Sequence, residues 1–180
     1  MKNNIIVLVT ALLILFLINF SIWQKESHLN TGVEVYLELV PVDPRSLMQG
    51  DYMSLDYQLS RQILMARTGN SPAQINNSIS EVLDVELVSP IDDFVVVNLD
   101  QHRVARFVRL DNDEPLLENQ MKLQFRVRNN MVKFATNAYF FEEGDELVYR
   151  DARYGAFRVN QDGEVLLTHL LDEKFNLLGE

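Results

Sequence analysis

Residues 121–134 have the sequence MKLQFRVRNNMVKF, which predicts a β-hairpin. In its first half, apolar residues alternate with basic and amide residues, a period of two that is typical of a strand with one buried face. Asn129-Asn130 then tolerates the positive φ angles of a two-residue turn. A returning strand is therefore expected from Met131 to Phe141.

Alternating apolar residues predict further strands on both sides of this hairpin. They are expected at Val33 to Leu39, Tyr52 to Leu59, Val82 to Val88, Phe94 to Leu99, His102 to Leu110, Tyr154 to Val159 and Val165 to Leu171. A short helix is expected at Gln58 to Arg67, where apolar residues recur every three to four positions. Residues 68–81 are rich in Asn and Ser and predict a loop. Many short strands without an internal repeat predict a mainly β domain, an antiparallel sandwich or partly open barrel.

Two turns are predicted between neighbouring strands. Asp100-Gln101 lies at hairpin distance between the strands that end at Leu99 and begin at His102. In the sequence NQDG at residues 160–163, Gly163 can adopt the left-handed conformation of a bulge-type turn. Both pairs of strands are therefore expected to be antiparallel hairpins.

The N-terminal segment predicts a transmembrane helix. Residues 3–24 carry no charged side chain, and Ile5 to Trp23 is almost entirely apolar. At about 1.5 Å rise per residue, such a helix matches a hydrocarbon core of about 30 Å. A cleaved signal peptide, the alternative, has an apolar run of about 7 to 15 residues and small residues at a cleavage site. The longer run without such a site favours an uncleaved anchor that contacts the lipid bilayer through residues 5–23.

The flanking charges predict the orientation of this anchor. Lys2 and the amino terminus lie on its short side, so the positive-inside rule places the N-terminus in the cytoplasm. We expect a single-pass protein of the bacterial inner (cytoplasmic) membrane with a periplasmic C-terminal domain. The expected division is a transmembrane anchor at 1–24, a polar juxtamembrane linker at 25–32 and one extracytoplasmic β-rich domain at 33–180, because the chain is too short for a second domain.

The part beyond the helix is strongly acidic. It holds all 26 acidic residues and all but one of the 16 basic residues. Such a domain repels nucleic acid and anionic membrane surfaces, so no nucleic-acid partner is expected. The chain has no cysteine, which excludes a lipoprotein anchor and a disulfide framework.

The most distinctive segment is GDYMSLDY, at residues 50–57. It contains every fixed letter of the pattern GDYXXLXY, and the chain resembles the GDYXXLXY family of bacterial membrane-anchored proteins. The sequence YFFEEG, at residues 139–144, resembles an aromatic, acidic and glycine-containing segment that this family carries near its C-terminal third. The family has no assigned catalytic residues, and some members are encoded beside polytopic membrane proteins. The resemblance therefore implies a membrane helix followed by a small domain, and no particular chemistry.

The first of these segments has a structural and a functional interpretation. Structurally, Asp43 caps a turn at Pro44 to Gln49, Gly50 permits positive φ at its exit, and alternate residues of the next strand face opposite sides. Functionally, an exposed cluster of charged loop residues recognises a partner or ligand. The candidate binding residues are Asp43, Arg45, Asp51, Tyr52, Tyr57, Glu142 and Glu143, and the candidate structural residues are Pro44, Gly50 and Gly144.

The sequence offers little for serine catalysis. A signal-peptidase-like hydrolase needs a serine activated by a lysine, and the Ser-Met-x-Pro segment of those enzymes is absent. The available pairs, Ser46 or Ser54 with Lys122 or Lys133, occupy ordinary polar positions of turns and strand faces. We therefore expect no catalytic residue.

Metal binding is not indicated either. His28, His102 and His169 are isolated and lack the spacing of zinc ligands. The sequence DNDE at residues 111–114 has oxygen ligands but lacks the glycine and the distant glutamate of a calcium loop. The sequence therefore predicts no metal site and no cofactor.

These features favour a non-enzymatic accessory domain that binds a protein partner at the membrane surface, such as the periplasmic loops of a polytopic membrane protein. A domain confined beside the bilayer can use a weak interface, because confinement raises its effective concentration. The alternative is an extracytoplasmic domain that binds or senses a small ligand or envelope component, and a signal-peptidase-like hydrolase ranks third. A flat patch around the motif favours the partner, whereas a pocket with convergent polar groups favours the ligand.

Overall fold

Our computed structural model describes residues 2–40, 52–68, 91–128 and 131–179, apart from the side chains of residues 2–5 and 68. Most of the predicted loop at 68–81, the predicted strand Val82 to Val88 and the turn Asn129-Asn130 lie outside these residues. The chain divides into two compact units, residues 1–32 and residues 33–180.

The first unit is one helix, α1, which spans Lys2–Thr31. Each large apolar side chain from Ile6 to Trp23 is more than half exposed, and within the described ranges this is the one helix long and apolar enough to cross a membrane. The helix continues through the segment predicted as a linker, because no glycine or proline interrupts it before Gly32. There the Gly32 amide donates to the His28 carbonyl at 2.9 Å as the helix ends.

The described part of the second unit consists of nine strands and two short helices. The strands are β1 Val33–Glu38, β2 Tyr52–Ser54, β3 Ile91–Leu99, β4 Ala105–Leu110, β5 Gln120–Arg128, β6 Met131–Lys133, β7 Ala138–Phe140, β8 Tyr154–Val159 and β9 Val165–Leu171. The helices are α2 Gln58–Thr68 and α3 Glu146–Tyr149. The predicted helix after residue 58 is thus confirmed, whereas the strand before it ends at Ser54 instead of Leu59.

The ladders between the described strands are antiparallel and form three groups, in the orders β1-β8-β9, β2-β7 and β4-β3-β5-β6. A bridge between Tyr36 and Val104 joins β1 to the start of β4, and one between Leu39 and Tyr57 joins the end of β1 to the segment after β2. The result is a strand-rich fold with a curled, half-barrel sheet. This arrangement confirms the predicted partly open antiparallel barrel.

The core is formed by apolar side chains from one face of each of several strands. Alternation in β5 places Leu123, Phe125 and Val127 inside, as its sequence predicts. In β1, Val33 is 51% exposed although the residues that follow it on the same face are buried. The central apolar side chains of several strands share this core, including Val35, Leu37, Val95, Val97, Leu123, Phe125, Phe134 and Phe157.

The connection from β3 to β4 is longer than a two-residue hairpin. The Asp100 carboxylate accepts hydrogen bonds of 2.9 Å from the amides of His102 and Val104, and Arg103 has a left-handed φ of 62°. The predicted strand start at His102 is therefore wrong, because these side-chain bonds hold residues 100–104 in a turn. By contrast, β8 and β9 begin and end as predicted, and Gly163 between them has φ +80°.

The C-terminal residues fold back against β9. Leu178 donates its amide to the Leu170 carbonyl at 3.0 Å. Phe175 stacks on Tyr154 with 4.5 Å between ring centroids and on His102 with 5.4 Å. The tail is thus part of the folded domain.

Candidate functional site

Strands β2 and β7 bring the two distinctive sequence segments together. Tyr52 pairs with Phe140, Met53 with Tyr139, and Ser54 with Ala138. The Leu55 amide extends the pairing by donating to the Asn137 carbonyl at 2.7 Å. We call β2, β7 and the adjoining residues 141–145 the motif ladder.

The alternation predicted for residues 52–57 is present. Met53, Leu55 and Tyr57 are buried, whereas Ser54 is exposed and Tyr52 and Asp56 are half-buried. Asp56 forms a 2.9 Å ion pair with Arg61 of α2, with both side chains more than 40% exposed. Such an exposed pair contributes about 0 to 1 kcal/mol to folding.

Tyr57 lies in the core and is 0% exposed, so its assignment as a candidate binding residue is corrected. Its ring meets Phe134 and Phe157 edge to face, with centroid distances of 5.9 and 5.6 Å. The hydroxyl has no hydrogen-bond partner among the described residues, and burial raises the pKa of this group. Tyr57 therefore packs the interior and is not available to a partner.

The outward face of the motif ladder carries an aromatic pair. The rings of Tyr52 and Phe140 lie 5.8 Å apart at the directly paired position of the two strands. Phe140 is 74% exposed, the most exposed of the large apolar side chains in the described part of the domain. Exposure of so large an apolar ring is unfavourable in water unless another surface covers it.

The inward face of β7 is fixed by Tyr149 of α3. Its ring centroid lies 5.2 Å from those of both Tyr139 and Phe141. Burial raises the pKa of Tyr139, and a hydrogen bond with Tyr149 adds to the effect. A Cβ atom on Gly179 would clash with the Tyr149 hydroxyl, so the C-terminal tail packs directly against this support.

A turn separates β7 from β6, so β7 pairs with β2 instead of continuing the β5–β6 ladder. The Thr136 hydroxyl donates to the Ala138 carbonyl at 2.9 Å, and the Ala138 amide donates back to that hydroxyl oxygen at 3.1 Å. The continuous strand predicted from Met131 to Phe141 is therefore wrong. The residues Thr136-Asn137 could have indicated this turn in the sequence, because Thr and Asn side chains form hydrogen bonds with nearby backbone groups and so interrupt a strand ladder.

The segment after β7 is acidic and exposed. Glu142 and Glu143 are exposed, and Gly144 has φ +102° with open space where a Cβ atom would lie. Among the residues that the structure describes, no basic side chain forms an ion pair with Glu142, Glu143, Asp145 or Glu146. The ladder is thus a surface with an aromatic centre and carboxylates at one end.

A comparison with protein-family models identifies the relationship suggested by these two segments. The model of the GDYXXLXY protein family matches residues 14–170. The chain belongs to the GDYXXLXY family. No curated protein and no solved structure matches it.

The fixed letters of the GDYXXLXY motif have different positions in the fold. Leu55 and Tyr57 are core residues, whereas Tyr52 lies on the outward face. Gly50 and Asp51 lie outside the described residues, as do Asp43, Pro44 and Arg45. The proposed cluster of Asp43, Arg45 and Asp51 therefore stays a prediction.

The residues considered for serine catalysis or metal binding have the following positions in this GDYXXLXY protein. Lys122 bonds the carboxylate of Asp111, and Ser54 lies on the exposed face of β2. Within the described ranges, no three His, Asp or Glu side chains are grouped to hold a metal ion.

Proposed function

We propose that this GDYXXLXY protein is a membrane-anchored accessory protein whose β domain binds a membrane-protein partner through the motif ladder. The observation that carries the proposal is the exposed Phe140 ring, which contacts the Tyr52 ring in a tilted arrangement where the two family segments pair. Large aromatic side chains dominate the binding energy of many interfaces. The paired strands offer such a side chain on an outward face, and the neighbouring carboxylates favour a partner with basic residues.

The helix α1 supports the membrane part of the proposal. Its exposed apolar side chains suit a lipid environment, and only Gly32 separates its last residue from β1. A domain attached so closely stays beside the bilayer, where a weak interface with another membrane protein is sufficient. Lys2 before the helix favours a cytoplasmic N-terminus and hence a periplasmic domain at the bacterial inner membrane.

A photo-reactive amino acid in place of Phe140 tests the binding surface in the full-length chain. After irradiation of native membranes, we expect a cross-link to one membrane protein. Leu117 is the matched control, because it is 70% exposed but lies between β4 and β5. We expect no cross-link to that protein from position 117.

Competition with chain that lacks the photo-reactive residue tests whether the cross-link depends on specific binding. An excess of unlabelled chain should suppress the product, whereas unlabelled chain with Phe140→Ser should suppress it poorly. The Phe140→Ser change should alter folding stability by no more than about 0.5 kcal/mol, because the ring is mostly exposed. Equal cross-linking from both positions, or none from 140, would refute the proposed surface. A small molecule attached at position 140 would instead support the alternative, an extracytoplasmic ligand-binding or sensor domain.

A further inference from the structure

Asn19 is a polar side chain on the otherwise apolar surface around it in α1. Its Nδ2 atom donates one hydrogen bond, to the Leu15 carbonyl at 2.8 Å. The side-chain amide has a second N–H and an oxygen acceptor, and neither makes a further bond within the described residues. Thr10, by comparison, uses its single O–H in a 2.9 Å bond to the Ile6 carbonyl.

The unsatisfied atoms of Asn19 lie in the hydrocarbon region if α1 spans the membrane as proposed above. Asn19 precedes Trp23, an interfacial aromatic, by four residues, which is about 6 Å along the helix axis. Water is not available there to satisfy an amide, so a polar group in this region favours a partner on another helix.

Asn19 also belongs to a heptad pattern. The residues Leu8, Leu12, Leu15, Asn19 and Ile22 recur at alternating intervals of four and three, the spacing of the a and d positions in a two-helix coiled coil. The four apolar members are each more than half exposed. We call these five residues the Asn19 stripe. A single asparagine at an a position among Leu and Ile is known to fix the register of paired helices.

We propose that the Asn19 stripe binds the same stripe of a second copy of this chain, as a parallel pair of helices within the membrane. An amide is both donor and acceptor, so two Asn19 side chains complement each other across a two-fold axis. Two copies with the same topology place Asn19 at the same depth by construction. A helix of another protein would need a polar residue at that depth, and the stripe has no small-residue motif that would favour a different type of close packing.

Cysteine cross-linking in the full-length chain tests this pairing, because the natural chain has no cysteine. Leu12→Cys and Leu15→Cys place a thiol on the stripe, and Leu13→Cys and Leu17→Cys place it on the opposite side of the helix. All four positions are similarly exposed. Oxidation of membranes should give a disulfide-linked dimer from the first pair of variants and little from the second pair.

Substitution of the asparagine then tests its role. In the Leu15→Cys background, Asn19→Leu should weaken association about three- to thirtyfold, measured as the loss of dimer on dilution with lipid. Asn19→Gln retains the amide and should restore part of the dimer. An unchanged dimer with Asn19→Leu would overturn the inference.

This inference depends on the proposed membrane span. Membrane fractionation distinguishes a failure of the helix pairing from a failure of the membrane anchor. Chain that stays with membranes after alkaline extraction but cross-links equally from all four positions, or from none, refutes the paired helices and leaves the anchor in place. A cross-linked product with a mass other than that of two chains also refutes the second copy as occupant. Recovery of the chain in the soluble fraction refutes the anchor and the pairing together.

Discussion

Replacement of Tyr57 by phenylalanine should stabilise the domain. The change removes one oxygen atom that is fully buried and has no hydrogen-bond partner among the described residues, and it keeps the ring between Phe134 and Phe157. A buried unsatisfied polar group costs about 1 to 3 kcal/mol. We expect a gain of about 1 kcal/mol in the free energy of unfolding, equivalent to a rise of about 2 to 4 °C in Tm for a domain of this size.

The matched control is Tyr139→Phe, which removes a hydroxyl that is hydrogen-bonded to Tyr149. It should lower the stability by about 1 kcal/mol, so the same chemical change has opposite signs at the two sites. Thermal unfolding of the full-length chain in mild detergent, followed by near-ultraviolet circular dichroism, measures both. Tryptophan fluorescence is unsuitable, because the single tryptophan, Trp23, lies in α1.

The pH dependence of Tyr57→Phe gives a second readout. Burial raises the pKa of Tyr57 in the folded state, so its contribution to stability is complete below about pH 10 and is lost as the pH rises further. The variant should therefore lose stability less steeply than the natural chain above about pH 10. A fall in Tm at neutral pH as large as that of Tyr139→Phe would refute the argument and show that the Tyr57 hydroxyl has a partner.

Two further substitutions test the turn between β8 and β9 and the acid stability of the domain. Gly163→Ala should lower the free energy of unfolding by about 2 to 4 kcal/mol, because its Cβ would lie 2.9 Å from the Lys122 carbonyl oxygen in a residue with φ +80°. Gly144→Ala should lower it by about 1 kcal/mol, from backbone strain alone, because there is open space around its Cβ position. Equal decreases in Tm for the two variants would contradict this reasoning. The hydrogen bond from Lys122 lowers the pKa of Asp111, so its contribution is complete above the ordinary value of about 4 and is lost as the pH falls through the lower folded-state value. Asp111→Asn should therefore be less stable at pH 7 but lose less stability between pH 5 and pH 2, and parallel acid titrations of Tm for both chains would disprove it.

Local patterns predicted the strands whose pairing is local. The β8–β9 hairpin has alternating strands on both sides of a glycine turn, so the order, bounds and turn could be predicted from adjacent residues. The burial of Leu123, Phe125 and Val127 follows from period two in the same way. The start of β4 was harder to predict, because hydrogen bonds to the Asp100 carboxylate determine which residues form the turn.

The candidate site required information that local patterns do not contain. Both distinctive segments were visible in the sequence, but their pairing joins residues more than 80 positions apart. The predicted alternation already placed Tyr57 on the same face as Met53 and Leu55, opposite Tyr52, and the structure shows that this face is the buried one. The linker prediction rested on polarity alone, although residues 25–31 contain no helix-breaking residue.

The pairing of β1 with β8 has a consequence for the kinetics of folding. Val33 is paired with Val159, so the first strand of the domain waits for a partner that is synthesised about 125 residues later. At about 5 to 20 residues per second, this interval is roughly 6 to 25 s. During that time the apolar face of β1 is exposed and can join other chains, so a chaperone that shields nascent segments should raise the yield of folded protein. Contacts of such high sequence separation also make folding slow after synthesis is complete, because closure of a long loop precedes the stabilising contacts.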